Sequence, residues 1–83
     1  MATTVVVEHS FDPPLTEEAL GAAFQIVAPC LKARGARWIR SYVSSDGKRM
    51  VCEFEAADAE AVRESLREAG VPFDRVWPGK LLT

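Results

Sequence analysis

Along the stretch TTVVVEHSF, Val5 and Val7 alternate with Val6 and Glu8, a period of two in β-branched residues that predicts a first strand. The same alternation sets His9 on the face of Val5 and Val7. DPPL ends the strand, and Thr16 then stands as an N-cap before Glu17 and Glu18, whose carboxylates suit the positive end of a helix. This helix is expected to run to about Arg34 and to stop at Gly35. Its apolar stripe is Leu20, Phe24, Val27 and Leu31, spaced four, three and four apart. Pro29 lies inside the pattern, lacks the N–H that would bond the Gln25 carbonyl, and predicts a kink.

Residues 40 to 56, RSYVSSDGKRMVCEFEA, are two alternating runs around Asp46-Gly47 and predict a hairpin. A two-residue turn at Asp46-Gly47 pairs Val43 with Met50, Ser41 with Cys52 and Ile39 with Phe54. The other face then carries Tyr42 with Val51, Arg40 with Glu53, and Trp38 with Glu55. One face is apolar and the other amphipathic. AADAEAVRESLREAG predicts a second helix capped by Asp58 and closed by Gly70, with Val62, Leu66 and Ala69 inward and its charges in solvent. FDRVWPGKLLT predicts a fourth strand, and Pro78 within it favours the sheet edge, where a missing donor costs nothing.

The order βαββαβ has one common compact solution: an α+β, ferredoxin-like sandwich with an antiparallel four-stranded sheet and two helices on one face. Residues 1–83 are expected to form this single domain. At 83 residues and 48% hydrophobic, the chain has a small core for which a partner subunit would be welcome. Ten basic against twelve acidic side chains leave no polycationic surface for nucleic acid or for an anionic membrane. No window approaches a membrane span and no leader pattern opens the chain, so a cytoplasmic location is expected. Cys30 and Cys52 lack a CxxC spacing and are expected to be free thiols.

From Trp38 to Val76 the chain resembles a family of small bacterial ferredoxin-like proteins, mostly of unknown function, some described as nickel-binding. The residues that carry the resemblance are Ser41-Tyr42, Cys52 and the EAADAEAVR run after it, Gly70-Val71-Pro72 and Asp74-Arg75-Val76. The resemblance implies a compact dimeric binding protein with affinity for a divalent transition metal such as nickel, with His9 matching a family histidine at the end of the first strand. Where relatives often carry further histidines, this chain has Arg40, and in its second helix Glu64 and Ser65.

The candidate site residues follow from these faces. His9 is the only histidine and should approach Met50 or Cys52 if the first and third strands are antiparallel neighbours. Imidazole and thiolate together suit nickel, copper or zinc, so His9 and Cys52 are the candidate metal ligands. The plainer alternatives are a strand-end histidine bonded to backbone and a buried cysteine acting as a small hydrophobe. On the amphipathic face, Trp38, Arg40, Tyr42, Glu53 and Glu55 mix aromatics with opposite charges and form the candidate homodimer interface. Acidic Glu53 and Glu55 on the third strand argue against RNA recognition, and no Gly-rich phosphate loop is present. Three functions remain: a homodimeric protein binding a transition metal or a small-molecule ligand, a cofactor-independent enzyme with His9 and Tyr42 as acid–base groups, and an interaction module. No catalytic residue is assigned.

Overall fold

In the computed structural model, which describes residues 2–83, the six elements follow the expected order. They are β1 (Thr3–Ser10), α1 (Glu17–Ala33), β2 (Arg37–Val43), β3 (Arg49–Ala56), α2 (Ala59–Ala69) and β4 (Arg75–Gly79). The strands are antiparallel in the order β2-β3-β1-β4, the ferredoxin-like arrangement. β4 is an edge, so Pro78 can be accommodated there without interrupting a central ladder. The strand ends at Gly79, short of the expected Thr83.

β1 carries the sheet because both its edges are paired. Val5, Val7 and His9 face the helices and are buried, opposite Phe54, Cys52 and Met50 of β3. Those six residues form the floor on which α1 and α2 sit. The caps behave as the sequence suggests: Thr16 Oγ1 accepts from the Ala19 N–H at 3.1 Å, and Asp58 Oδ1 accepts from the Ala61 N–H at 2.8 Å. Gly70 closes α2 in the left-handed region at φ 71°, where a Cβ would be strained.

α1 is continuous through Pro29. Near its C-terminus the Arg34 N–H turns to Leu31, and the Cys30 carbonyl is met by Arg34 Nη1 and Ser65 Oγ, each at 3.2 Å. Ser65 is fully buried in α2, and its Oγ also lies 2.8 Å from the Ala61 carbonyl, so its one proton is shared between the two carbonyls. A serine thus sits where the sequence pattern foresees only Val62, Leu66 and Ala69. Its hydroxyl reaches, from α2, a carbonyl at the end of α1 that Arg34 also bonds.

Two features of the hairpin differ from expectation. The reversal is a four-residue loop in which the Gly47 N–H bonds the Ser44 carbonyl and the Ser44 N–H bonds the Arg49 carbonyl, with Gly47 at φ 74°. The pairing register of Val43, Tyr42, Ser41 and Arg40 with β3 is nonetheless the expected one. Beyond Arg40 it shifts, because β2 is irregular between Trp38 and Arg40: Trp38 pairs with Phe54, and Arg37 takes the place opposite Glu55. One extra residue at Ile39 turns Trp38 from the open face to the helix face. Trp38 therefore leaves the expected interface set, and its ring meets Phe24 of α1 edge-on at 5.5 Å.

Candidate functional site

The bulge brings Trp38 to the edge of the site. α1 packs beside α2 and β2 while standing farther from β1 and β3, so the space above the middle of the sheet is not filled. A cavity of about 490 Å³ remains there. Its wall is mostly apolar, with Phe24, Met50, Phe54 and Leu66 contributing, and its polar points are His9, Ser41 and Cys52, with Glu17 and Gln25 exposed at the margin. No lysine or arginine lines it.

His9 is 6% exposed, and its Nδ1 lies 2.9 Å from the carbonyl oxygen of Pro72. A carbonyl only accepts, so Nδ1 carries the proton and Nε2 keeps its lone pair. The loop that supplies Pro72 is itself clamped to the end of β1. The Asp74 N–H donates to the Glu8 carbonyl at 2.8 Å, and Ser10 Oγ donates to Asp74 Oδ2 at 2.8 Å. Phe11 stacks on the imidazole with ring centres 5.9 Å apart. Burial lowers the His9 pKa, and the Pro72 bond and the Asp74 charge only partly offset this. The ring is a fixed, neutral acceptor.

A second chain of hydrogen bonds crosses the cavity floor. Trp38 Nε1 donates to Ser41 Oγ at 2.8 Å, and Ser41 Oγ donates to Cys52 Sγ at 3.0 Å. Cys52 is 5% exposed, and burial raises its thiol pKa more than the serine bond lowers it. It is a core thiol that also borders the cavity. Cys30 lies on α1, where the neighbouring Glu68 carboxylate raises its pKa. Neither cysteine is activated as a nucleophile.

The structure thus brings His9 and Cys52 to one wall, two residues apart along the β1/β3 ladder. They do not amount to a metal centre. Among the described residues, no three His, Cys, Asp or Glu side chains are placed to hold an ion. With a buried, protonated thiol as the second donor, the protein groups present do not fit a closed nickel site. The acid–base pair envisaged for an enzyme is also divided: His9 faces the cavity, whereas Tyr42 pairs with Val51 on the opposite face of the sheet.

That opposite face keeps Arg40, Tyr42, Glu53 and Glu55 and gains Trp77, which the sequence reading passed over. Trp77 stands beside Val6 on β4, and its Nε1 donates to Glu8 Oε2 at 2.8 Å. The alternation of Arg75, Trp77 and Gly79 was the available signal. Arg40 pairs with Glu53 at 3.3 Å and Arg37 with Glu55 at 3.0 Å. No helix among the described residues is long and apolar enough to cross a membrane.

The fold and cavity define a small ferredoxin-like α+β domain with a half-open pocket between its first helix and its sheet. The chain belongs to the family described as nickel responsive protein SCO4226-like, whose sequence model matches residues 6–78. The crystal structure of SCO4226 from Streptomyces coelicolor A3(2) is similar, with a TM-score of 0.84 and 20% identity, covering 96% of this chain and 99% of that one. At that identity the likeness shows the fold alone. No curated protein is similar to the chain in sequence.

The buried histidine gives a pH dependence of known sign. Its folded-state pKa lies below the unfolded value of about 6.5, so on acidification the unfolded chain takes up a proton that the folded chain resists. The contribution of neutral His9 is fully present above about pH 6.5 and is lost as pH falls toward the folded pKa. Urea unfolding at pH 7.5 and pH 5.0 should show a loss of stability on acidification that is smaller in His9→Gln. An equal loss in both proteins would remove His9 as its source.

Proposed function

We propose that this protein binds a small ligand in the cavity between α1 and the sheet, and that it does so as a homodimer joined through the open sheet face. The observation that carries the first part is the cavity itself. Beside a small core, the 83-residue chain keeps a half-open pocket of about 490 Å³, within the size range of small-molecule sites, with a few polar atoms set in an apolar wall. Substituting Ala23, which borders the cavity from α1, with phenylalanine should fill it. Small aromatic probes are expected to shift the amide resonances of Ser41, Cys52 and Phe54 in the wild type and to leave them unmoved in Ala23→Phe. Shifts confined to the outer face would place binding elsewhere.

The open face supports the second part. Tyr42 is 69% exposed and lies with Val51 and Trp77 on one apolar patch. The charges around it are of both signs, Arg37, Arg40, Arg49 and Arg75 with Glu8, Glu53 and Glu55, so the face can pack on a second copy of itself across a two-fold axis. Trp38 is replaced by Trp77 in this interface. Light scattering at micromolar concentration is expected to report a dimer, with Tyr42→Glu shifting the population to monomer. A wild-type monomer, or a dimer indifferent to Tyr42→Glu, would end this part of the proposal.

The family description as nickel responsive bears on one side chain here. Nε2 of His9 is the single imidazole donor in the chain, and Cys52 offers at most a second ligand at the cost of a proton. Nickel binding by this member is therefore expected to be weak, and any that occurs should vanish in His9→Ala. Calorimetric titration showing tight binding that survives His9→Ala would move the site to carboxylates on the surface.

A further inference from the structure

The polar atoms of the cavity are not a random assortment. Three strong donors near its floor are already committed: Nδ1 of His9 to the Pro72 carbonyl, Nε1 of Trp38 to Ser41, and the Ser41 hydroxyl to Cys52. Apart from the weak S–H of Cys52 and the Gln25 amide at the exposed margin, what the floor offers a ligand are lone pairs. Nε2 of His9 has no protein partner, yet among the described residues no fully enclosed side-chain nitrogen or oxygen is left unsatisfied, so Nε2 opens onto the cavity. Ser41 Oγ, having received the tryptophan N–H and given its own proton, keeps a second lone pair.

Resting on the cavity as the binding site, we propose that it selects a neutral aromatic ligand bearing a hydroxyl group, whose O–H is donated to Nε2 of His9 while the ring lies among Phe24, Trp38 and Phe54. A carboxylate of the same shape is rejected for two reasons. It has no proton to give to Nε2, and no lysine or arginine lines the wall to compensate its charge. Two carboxylate oxygens facing an imidazole lone pair would repel, and recruiting a proton to the ring runs against the burial that lowers its pKa. The aromatic wall adds to the selection, because a flat ring can take edge-on and offset contacts that an aliphatic chain of equal volume cannot.

The test uses the intact protein at pH 7.5 and three probes of one shape: 2-naphthol, 2-methoxynaphthalene and 2-naphthoate. Calorimetry is expected to give 2-naphthol about a tenfold advantage over its methyl ether, the size of one net hydrogen bond, with 2-naphthoate the weakest. His9→Phe should bind the naphthol and the ether alike. In case that variant does not fold, the ¹⁵N resonance of His9 Nε2 in the wild type provides a second reading, expected to move with 2-naphthol and to stay with the ether. Equal affinity for naphthol and ether, tightest binding of the naphthoate, or an unmoved Nε2 resonance overturns the selection while leaving the cavity as a binding site. Binding of none of the three would overturn the cavity reading itself.

Discussion

Strand β1 is hydrogen-bonded along both edges, to β3 and to β4, and that double pairing sets the rest of the structure. A strand held on two sides cannot slip by one residue without exposing Val5 and Val7 and burying Glu8, so its side-chain alternation is strongly fixed. His9 inherits its position from those valines. It is carried into the interior by hydrophobic burial of its neighbours, and once there its Nδ1–H must find an acceptor, which the Pro72 carbonyl supplies at 2.9 Å. The resulting tautomer follows from packing.

The floor so formed is covered unevenly. α2 lies close, with Val62, Ser65 and Leu66 all buried, and Arg63 Nη2 ties it to the Val76 carbonyl of β4. α1 buries only Val27 and Leu31 and leaves Phe24 well exposed. Its shorter, looser contact with the sheet is what leaves the cavity, and the Trp38–Phe24 pair bridges α1 to β2 at the cavity wall. A packing deficit on one helix and a buried acceptor below it together give the domain a half-open polar site next to aromatic surface.

The opposite face follows other rules. Its ion pairs, Arg40 with Glu53 and Arg37 with Glu55, are substantially solvent-exposed, so each adds little stability to a single chain. Their value lies in complementarity: a face with charges of both signs around Tyr42, Val51 and Trp77 can set arginine against glutamate across a two-fold axis. The two faces of one sheet thus offer two separate kinds of recognition, an apolar pocket on the helix side and a flat amphipathic surface on the other.

Much of this was legible in the chain. Period-two alternation placed Val5, Val7, His9 and Cys52 on one face, and cap residues at Thr16, Asp58 and Gly70 bounded the helices. These signals are local, each set by neighbours within a few residues, so they survive without knowledge of the fold. The plain readings of His9 as a backbone-bonded strand-end histidine and of Cys52 as a small core residue agree with the structure for the same reason. Trp38 was misplaced because a bulge interrupts alternation at one residue, and whether Ile39 is absorbed as a bulge depends on contacts from other elements, such as Phe24 of α1 against the ring. Ser65, the Pro72 carbonyl and the cavity itself are likewise invisible in one dimension. Each exists only where segments far apart in sequence meet, and the space α1 leaves above the sheet is decided by the sum of side-chain volumes across that meeting, which no local pattern contains.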